Sequence, residues 1–100
     1  MKLQKLYVLC YDFPSDKHGN RRRYRTVKYL NGLGHRVQES VFELRIETKE
    51  ELEKILKRLD SIIRPNLDSI RIYPIHSDTE NDIKILGLGE VYKVENAYFF

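Results

Sequence analysis

Two aspartates followed by a run of cations are the residues whose types and spacing could do chemistry. Asp12 and Asp16 come directly before an arginine-rich segment, whose arginines are Arg21, Arg22, Arg23 and Arg25. Carboxylate oxygens are hard ligands suited to Mg²⁺, with Mn²⁺ as a possible substitute, and nearby cations would hold a phosphodiester against the metal. These residue types suggest the hypothesis of a metal-dependent phosphodiesterase in which Asp12 is the catalytic and metal-binding residue. Asp16 is a candidate second carboxylate.

The position of Asp12 supports this interpretation. The residues Leu6 to Asp12 alternate as a strand does, both faces are apolar or aromatic, and Pro14 ends the segment. A charged carboxylate at the end of a buried strand destabilises the fold unless a metal, a cation or a hydrogen-bond donor contacts it. One carboxylate per chain provides few ligands for a metal site, but two copies of Asp12 near a dimer axis would provide a pair of carboxylates. The alternative is that Asp12 caps a turn near Ser15.

The distribution of charge points to a polyanionic partner. The chain has a net charge of +3, yet residues 17–38 contain no Asp or Glu among their lysines and arginines. Such asymmetry favours DNA or RNA as the partner. The alternative is a solvated basic helix that binds nothing.

Composition and motifs exclude several other classes. With 100 residues, we expect a single domain over 1–100. Cys10 is the only cysteine, which excludes an internal disulfide and favours the cytoplasm, and no apolar run is long enough for a membrane span. The histidines have no cysteine partners at zinc spacing, and no nucleophile triad or nucleotide-binding glycine pattern occurs.

The pattern predicts two helices. The first runs from about Arg21 to Leu33, with Tyr24, Val27 and Leu30 facing the core and the arginines, including Arg22, largely on the other face. The second begins after Thr48, which forms a capping-box pattern with Glu51. Its core positions follow at helical spacing: Leu52, Ile55, Leu56, Leu59, Ile62 and Ile63.

Three further extended segments complete the predicted order. Residues 35–46 form a bent strand or two strands that meet near Ser40 and Val41, and residues 68–75 form a strand that stops at Pro74 with Ile70 and Ile72 inward. Residues 76–82 are predicted to be an ordinary acidic loop, and an apolar strand over about 90–98 ends the chain.

This order predicts an α+β domain with the ferredoxin-like β-α-β-β-α-β arrangement and an additional C-terminal strand. Its sheet has one face that the helices leave uncovered. We expect Tyr7, Leu9 and Tyr11 on that uncovered face, opposite the helix-facing side chains. A second subunit stacked sheet to sheet would cover them, which predicts a homodimer with facing sheets.

Three stretches of the sequence resemble a known family. They are Tyr11-Asp12-Phe13-Pro14 after an apolar strand, Arg36-Val37-Gln38 with Ser40-Val41-Phe42-Glu43, and Ser69-Ile70-Arg71-Ile72-Tyr73-Pro74. In this order they resemble the signature stretches of the CRISPR-associated protein 2 family, over residues 5 to 98.

The resemblance implies a function in CRISPR adaptation, the acquisition of new spacers, in complex with the CRISPR integrase. It implies a homodimer in which the C-terminal strand joins the partner's sheet, and in some members a metal-dependent endonuclease acting on RNA or DNA. The family's aspartate matches Asp12, preceded by Tyr11. Its arginine and its phenylalanine match Arg36 and Phe42, which become candidate nucleic-acid-binding residues with Tyr11 and the arginines of residues 21–25.

Two departures from the family pattern bear on these assignments. The segment between Asp12 and the first helix is about four residues longer than usual, so the arginines carry over only as a group. Glu39 stands where a neutral residue is expected and adds a negative charge near the bend. Two alternatives to the nuclease stay open: a non-catalytic scaffold that binds DNA, and a toxin-like module that cleaves RNA on the same fold.

Overall fold

The computed structural model describes residues 5–89. The predicted C-terminal strand over 90–98 lies outside these residues. Seven elements follow one another along the described chain: β1 (Lys5–Asp12), α1 (Lys17–Asn31), β2 (Gly34–Gln38), β3 (Val41–Ile46), α2 (Lys49–Ile62), β4 (Ser69–Ile75) and a 3₁₀ helix (Ser77–Asp82).

The four strands form one antiparallel sheet in the order β2-β3-β1-β4. This order, with a helix after β1 and another after β3, is the ferredoxin-like arrangement, so the predicted fold class is confirmed. β1 is a central strand because β3 and β4 pair along its two edges. None of the helices in residues 5–89 is long and apolar enough to cross a membrane.

The helices cover the face of the sheet opposite to the one expected. Leu9 and Tyr11 of β1 are buried in one cluster with Leu30 of α1 and with Ile55 and Leu59 of α2. The uncovered face therefore carries Val8 and Cys10, with Glu43 and Val41 opposite them on β3 and Tyr73 and Arg71 on β4. The expectation was wrong because both faces of β1 are apolar, and alternation alone cannot tell which face receives the helices.

α1 begins four residues earlier than predicted. Asp16 is its N-cap, and the Asp16 Oδ1 accepts a hydrogen bond of 2.7 Å from the backbone N–H of Gly19. Gly19 is buried against the loop, since a Cβ at this position would lie 2.0 Å from the Pro14 carbonyl oxygen. The segment between β1 and α1 is consequently short and packed onto the first helical turn, and the arginines lie on the helix, as predicted.

The helical phase of α1 also differs from the prediction. Its buried residues are Gly19, Arg22, Thr26 and Leu30, whereas Tyr24 is 66% exposed. Val27 is half-buried against the core, as predicted. The phase is shifted because Arg22 faces inward, where Asp68 neutralises its charge.

The segments after α1 follow the prediction more closely. β2 and β3 form a hairpin with a register shift between Arg36 and Gln38 and a turn at residues 39–40, which confirms two strands meeting tightly. Thr48 and Glu51 form the predicted capping box of α2. The apolar side of α2 is buried at Ile55, Leu59 and Ile62, while Leu56 is 44% exposed.

Two details at the end of the described chain differ from the prediction. β4 continues through Pro74 to Ile75, and an edge strand tolerates proline because one of its sides needs no ladder partner. Residues 77–82 form a 3₁₀ helix rather than a loop. Its Glu80 is buried and forms an ion pair with Arg45 of β3, with 2.9 Å between Oε1 and Nη2. This pair joins the 3₁₀ helix to the sheet.

Candidate functional site

Asp12 is the last residue of β1, and its backbone pairs with Ser69 at the start of β4. Its side chain is exposed and, because side chains alternate along β1, it projects on the face of the sheet that the helices leave uncovered. Within residues 5–89 no hydrogen bond or ion pair engages its carboxylate. Asp12 therefore does not cap the following turn, and its oxygens are available to a ligand.

Asp16 has a structural function in this arrangement. Its carboxylate caps α1 through Oδ1, which accepts the bond from the Gly19 N–H, so a structural function accounts for this residue, and its assignment as a second metal-binding carboxylate stays a prediction. No group of three or more His, Cys, Asp or Glu side chains within residues 5–89 lies close enough to hold a metal ion. A metal bound at Asp12 would consequently need further ligands from outside residues 5–89, and a second molecule or the substrate could supply them.

Tyr11 and Arg36 meet at the backbone carbonyl of Glu39. The Tyr11 hydroxyl donates to this oxygen at 2.7 Å, and Arg36 donates to it through Nε at 2.9 Å and Nη2 at 2.6 Å. Nη2 of Arg36 also lies 3.3 Å from the Tyr11 hydroxyl, and the Tyr11 N–H donates to the Ser40 carbonyl at 3.1 Å. These bonds hold the turn between β2 and β3 against the end of β1, directly before Asp12.

The carbonyl, not the side chain, of Glu39 takes part in this network. The departure from the family pattern at Glu39 therefore leaves these contacts intact, because every residue type provides a backbone carbonyl. Arg36 remains exposed, so a further ligand can reach its guanidinium from solvent. Tyr11 is 6% exposed, and its contribution to the site is to position Arg36 and the turn.

Phe42 lies in the core and offers no surface to nucleic acid, which corrects its assignment as a binding residue. Its side chain is 0% exposed. Its ring centroid lies 6.4 Å from that of Tyr11 and 6.0 Å from the Arg36 guanidinium carbon. Phe42 thus supports the two residues that brace the turn.

Arg22 is committed to a buried ion pair and is likewise not available to nucleic acid. Its Nε and Nη2 donate to the Asp68 carboxylate at 2.6 and 2.8 Å. Asp68 also accepts a 2.7 Å bond from the backbone N–H of Arg64. The bond from Arg22 holds the pKa of Asp68 below its ordinary value, although burial acts in the opposite direction. The pair joins α1 to the segment that leads into β4.

The other predicted arginines lie on the solvent side of α1. Arg23 donates to the Asn20 side chain at 2.8 and 2.7 Å. Arg21 and Arg25 are exposed, and no hydrogen bond or ion pair with another described residue engages them. These two cations, rather than the whole arginine run, are free to contact a phosphate.

Asp68 and Gly19 are structurally important residues that the sequence interpretation missed. Asp68 directly precedes a β-branched strand, and an acid at such a boundary could have suggested a buried partner.

On the uncovered face, burial raises the pKa of Glu43, while Arg45 and then His35 lower it. No pattern in the sequence signals that environment, since it depends on strand pairing.

Comparison with known proteins agrees with the fold and shows the family. The family model for CRISPR associated protein Cas2 matches residues 5–83. A protein of Synechocystis sp. named CRISPR-associated endoribonuclease Cas2 3 is 40% identical over 82 residues, which is 82% of this chain and 84% of the relative.

Two solved structures share the fold over most of their length. The crystal structure of Streptococcus pyogenes Cas2 at pH 6.5 has a TM-score of 0.73 and 32% identity, with 82% of this chain and 99% of the other covered. A chain of a partial Cas6-RT-Cas1–Cas2 complex has a TM-score of 0.65 and 27% identity, with 88% and 97% covered.

Proposed function

This chain belongs to the CRISPR-associated Cas2 family, and from that premise we propose that it functions in CRISPR adaptation as a nuclease that binds nucleic acid and partners the integrase Cas1. The observation that carries the proposal is the Asp12 carboxylate at the end of β1, which no residue of 5–89 engages and which follows directly on Tyr11 of the braced turn. The relative from Synechocystis is named an endoribonuclease, which favours phosphodiester cleavage as the activity. We place the protein in the cytoplasm, where such a nuclease would meet its substrates.

A homodimer with facing sheets would complete the site. The uncovered face presents half-buried Val8, Cys10 and Val41 together with exposed Tyr73, an apolar surface that a second sheet would cover. Because Asp12 projects on the same face, a two-fold axis between the sheets would bring two Asp12 carboxylates toward each other. The side chains that the second sheet would cover are therefore these residues and not Tyr7, Leu9 and Tyr11, which lie on the helix-covered face.

Mg²⁺ is the metal that suits this donor set, with Mn²⁺ as a substitute. Carboxylate oxygens are its preferred protein ligands, and the two Asp12 side chains of a dimer would hold it with the substrate phosphate. When bound, it would activate water and neutralise charge at the phosphorus. Asp12 would hold the metal. Arg36 pairs with Phe42 on the helix-covered side of the sheet, so it would contact a neighbouring phosphate of the bound strand rather than the phosphate at the metal, and the hydroxyl of Tyr11 helps to keep its guanidinium in place.

The function is tested by following cleavage of labelled RNA, single-stranded DNA and duplex DNA across Mg²⁺ and Mn²⁺ titrations. We expect metal-stimulated cleavage of at least one substrate by the wild type and its loss in Asp12→Asn. Asp78→Asn, which removes an exposed carboxylate from the 3₁₀ helix, is the matched control and should cleave as the wild type does. Equal cleavage by Asp12→Asn and the wild type would contradict the nuclease.

A non-catalytic scaffold is the second candidate function. It is favoured by the absence of a complete metal-ligand group within residues 5–89 and by the two unengaged arginines of α1. Binding by phosphate contacts does not need Asp12 and weakens steeply with salt. Tight binding of duplex DNA and of Cas1 by both the wild type and Asp12→Asn, without metal-stimulated cleavage by either, would establish the scaffold.

A further inference from the structure

The solvent side of α1 carries an exposed tyrosine within a row of cations. Tyr24 is 66% exposed, the highest value among the tyrosines of residues 5–89. Lys17, Arg21 and Lys28 lie seven and three residues before it and four residues after it, so all three share its side of the helix. Arg25 flanks the same row. Lys17 to Lys28 covers about 16 Å along the helix axis.

The two ends of this row relate differently to the helix dipole, because Lys28 in the last turn interacts favourably with it and Lys17 in the first turn does not. The first turn of α1 contains no acidic residue, although acids there would interact favourably with the helix dipole. Lys17 and Arg21 instead place positive charge near the positive end of the helix. The Asp16 cap satisfies this end of the helix, so these cations are not needed to stabilise α1 and are available to an anionic partner.

The ring of Tyr24 has no partner in the described part of the chain. Tyr29, the other tyrosine of α1, packs against the core and has the Arg58 guanidinium carbon 5.7 Å from its ring centroid. Tyr11 is buried between Phe13 and Phe42. No ring or cation from residues 5–89 stacks on Tyr24, and no hydrogen bond within that range engages its hydroxyl.

We propose that this row is a binding surface for a single-stranded segment of nucleic acid, in which one unpaired base stacks on Tyr24. Lys17, Arg21 and Lys28 contact the phosphates on either side of that base. An aromatic ring set among cations is the arrangement that binds single strands, because every base offers a π-face to the ring and the cations follow the backbone. A paired duplex keeps its bases stacked on each other, so the ring would add little to duplex binding.

The row begins at the end of α1 that adjoins the candidate site. Only residues 13–16 separate Asp12 from the first residue of α1. A strand lying along the row would therefore lead toward the Asp12 end of the sheet. This binding surface rests on the proposed function in one respect, namely that the ligand of the protein is nucleic acid.

The test measures binding of a fluorescent 12-nucleotide single strand and of a 12-base-pair duplex in EDTA, where metal-dependent cleavage is suppressed. We expect Tyr24→Leu to bind the single strand about 5- to 20-fold more weakly and the duplex within about 2-fold of wild type. Tyr24→Phe retains the ring and should bind both ligands as the wild type does. The fluorescence of a 2-aminopurine base in the single strand should change to a similar extent when the wild type or Tyr24→Phe binds, and that change should be absent with Tyr24→Leu.

A second arm tests the cations. Arg21→Gln should lower the slope of log affinity against log salt for the single strand by about 0.7, the value expected for one phosphate contact. Lys54→Gln makes the same charge change on the exposed side of α2 and should leave the slope unchanged.

The outcomes separate this inference from the proposed function. The stacking surface would be overturned, while nucleic-acid binding stands, by either of two results. Tyr24→Leu could bind the single strand as tightly as the wild type does, or it could weaken binding of single strand and duplex equally. A wild type that binds neither ligand would overturn both.

Discussion

The end of β1 and the start of β4 lie side by side in the sheet, yet the aspartates at these two places have opposite environments. Asp68, directly before β4, is buried, paired with Arg22 and bonded to the Arg64 N–H. Asp12, whose backbone pairs with the next residue, Ser69, is exposed and engaged by no described side chain. One carboxylate stabilises the junction of α1, α2 and β4, and the other is left available for chemistry.

The largest effect is expected when the buried pair is broken. Arg22→Met leaves the Asp68 charge buried without its partner, and the melting temperature should fall by more than about 10 °C. Arg21→Met removes an exposed arginine from the same helix and should change the melting temperature by less than about 2 °C. Circular dichroism melts measure both, and equal effects would show that the buried pair does not stabilise the fold.

Acid should weaken the fold through Asp68. Because the pKa of Asp68 is lower in the folded than in the unfolded chain, its contribution is fully present above about pH 4–5 and is lost as the pH falls through the folded pKa. Urea unfolding from pH 7 to pH 2 should therefore show a smaller decline in the free energy of unfolding for Asp68→Asn than for the wild type. Asp60→Asn, an exposed acid of α2, is the control and should decline as the wild type does.

A smaller effect is expected at the braced turn. Tyr11→Phe keeps the buried ring but removes the hydroxyl that donates to the Glu39 carbonyl, which should lower the free energy of unfolding by about 1 kcal/mol. Tyr73→Phe is the matched control, because Tyr73 is 45% exposed and, among residues 5–89, its hydroxyl accepts a single 3.3 Å bond, from Arg71. A loss in Tyr73→Phe as large as that in Tyr11→Phe would contradict the bracing function.

The smallest change in stability is expected at Asp12. Asp12→Asn removes no hydrogen bond or ion pair seen in residues 5–89, so the free energy of unfolding should stay within about 0.5 kcal/mol of wild type. The same urea unfolding series measures it. A loss comparable to that of Asp68→Asn would place Asp12 among the structural residues.

The sequence predicted the elements with strong local signals. α2 was placed well because its apolar periodicity begins at a capping box, and the position of Asp12 followed from an apolar strand that ends before Pro14. α1 has no such periodicity, since its inward face includes Arg22, Gly19 and Thr26. The Arg22–Asp68 pair joins residues 46 positions apart, which no local pattern reveals.

The candidate site was predicted in position but only partly in the functions of its residues. A carboxylate can cap a helix or bind a metal with the same chemistry, so the sequence could not assign Asp16 to the cap and leave Asp12 free. An arginine run does not show which side chains turn inward. Phe42 was assigned to nucleic acid from the resemblance, and only the pairing of β3 with β1 shows that it lies in the core.

The most direct test of the central claim measures cleavage and stability on the same preparation of Asp12→Asn. The account predicts that metal-stimulated cleavage falls by about 100-fold or more relative to wild type, while the melting temperature and nucleic-acid binding are retained. Cleavage at the wild-type rate by this folded variant would contradict the account, because Asp12 would then be neither the catalytic residue nor the metal ligand.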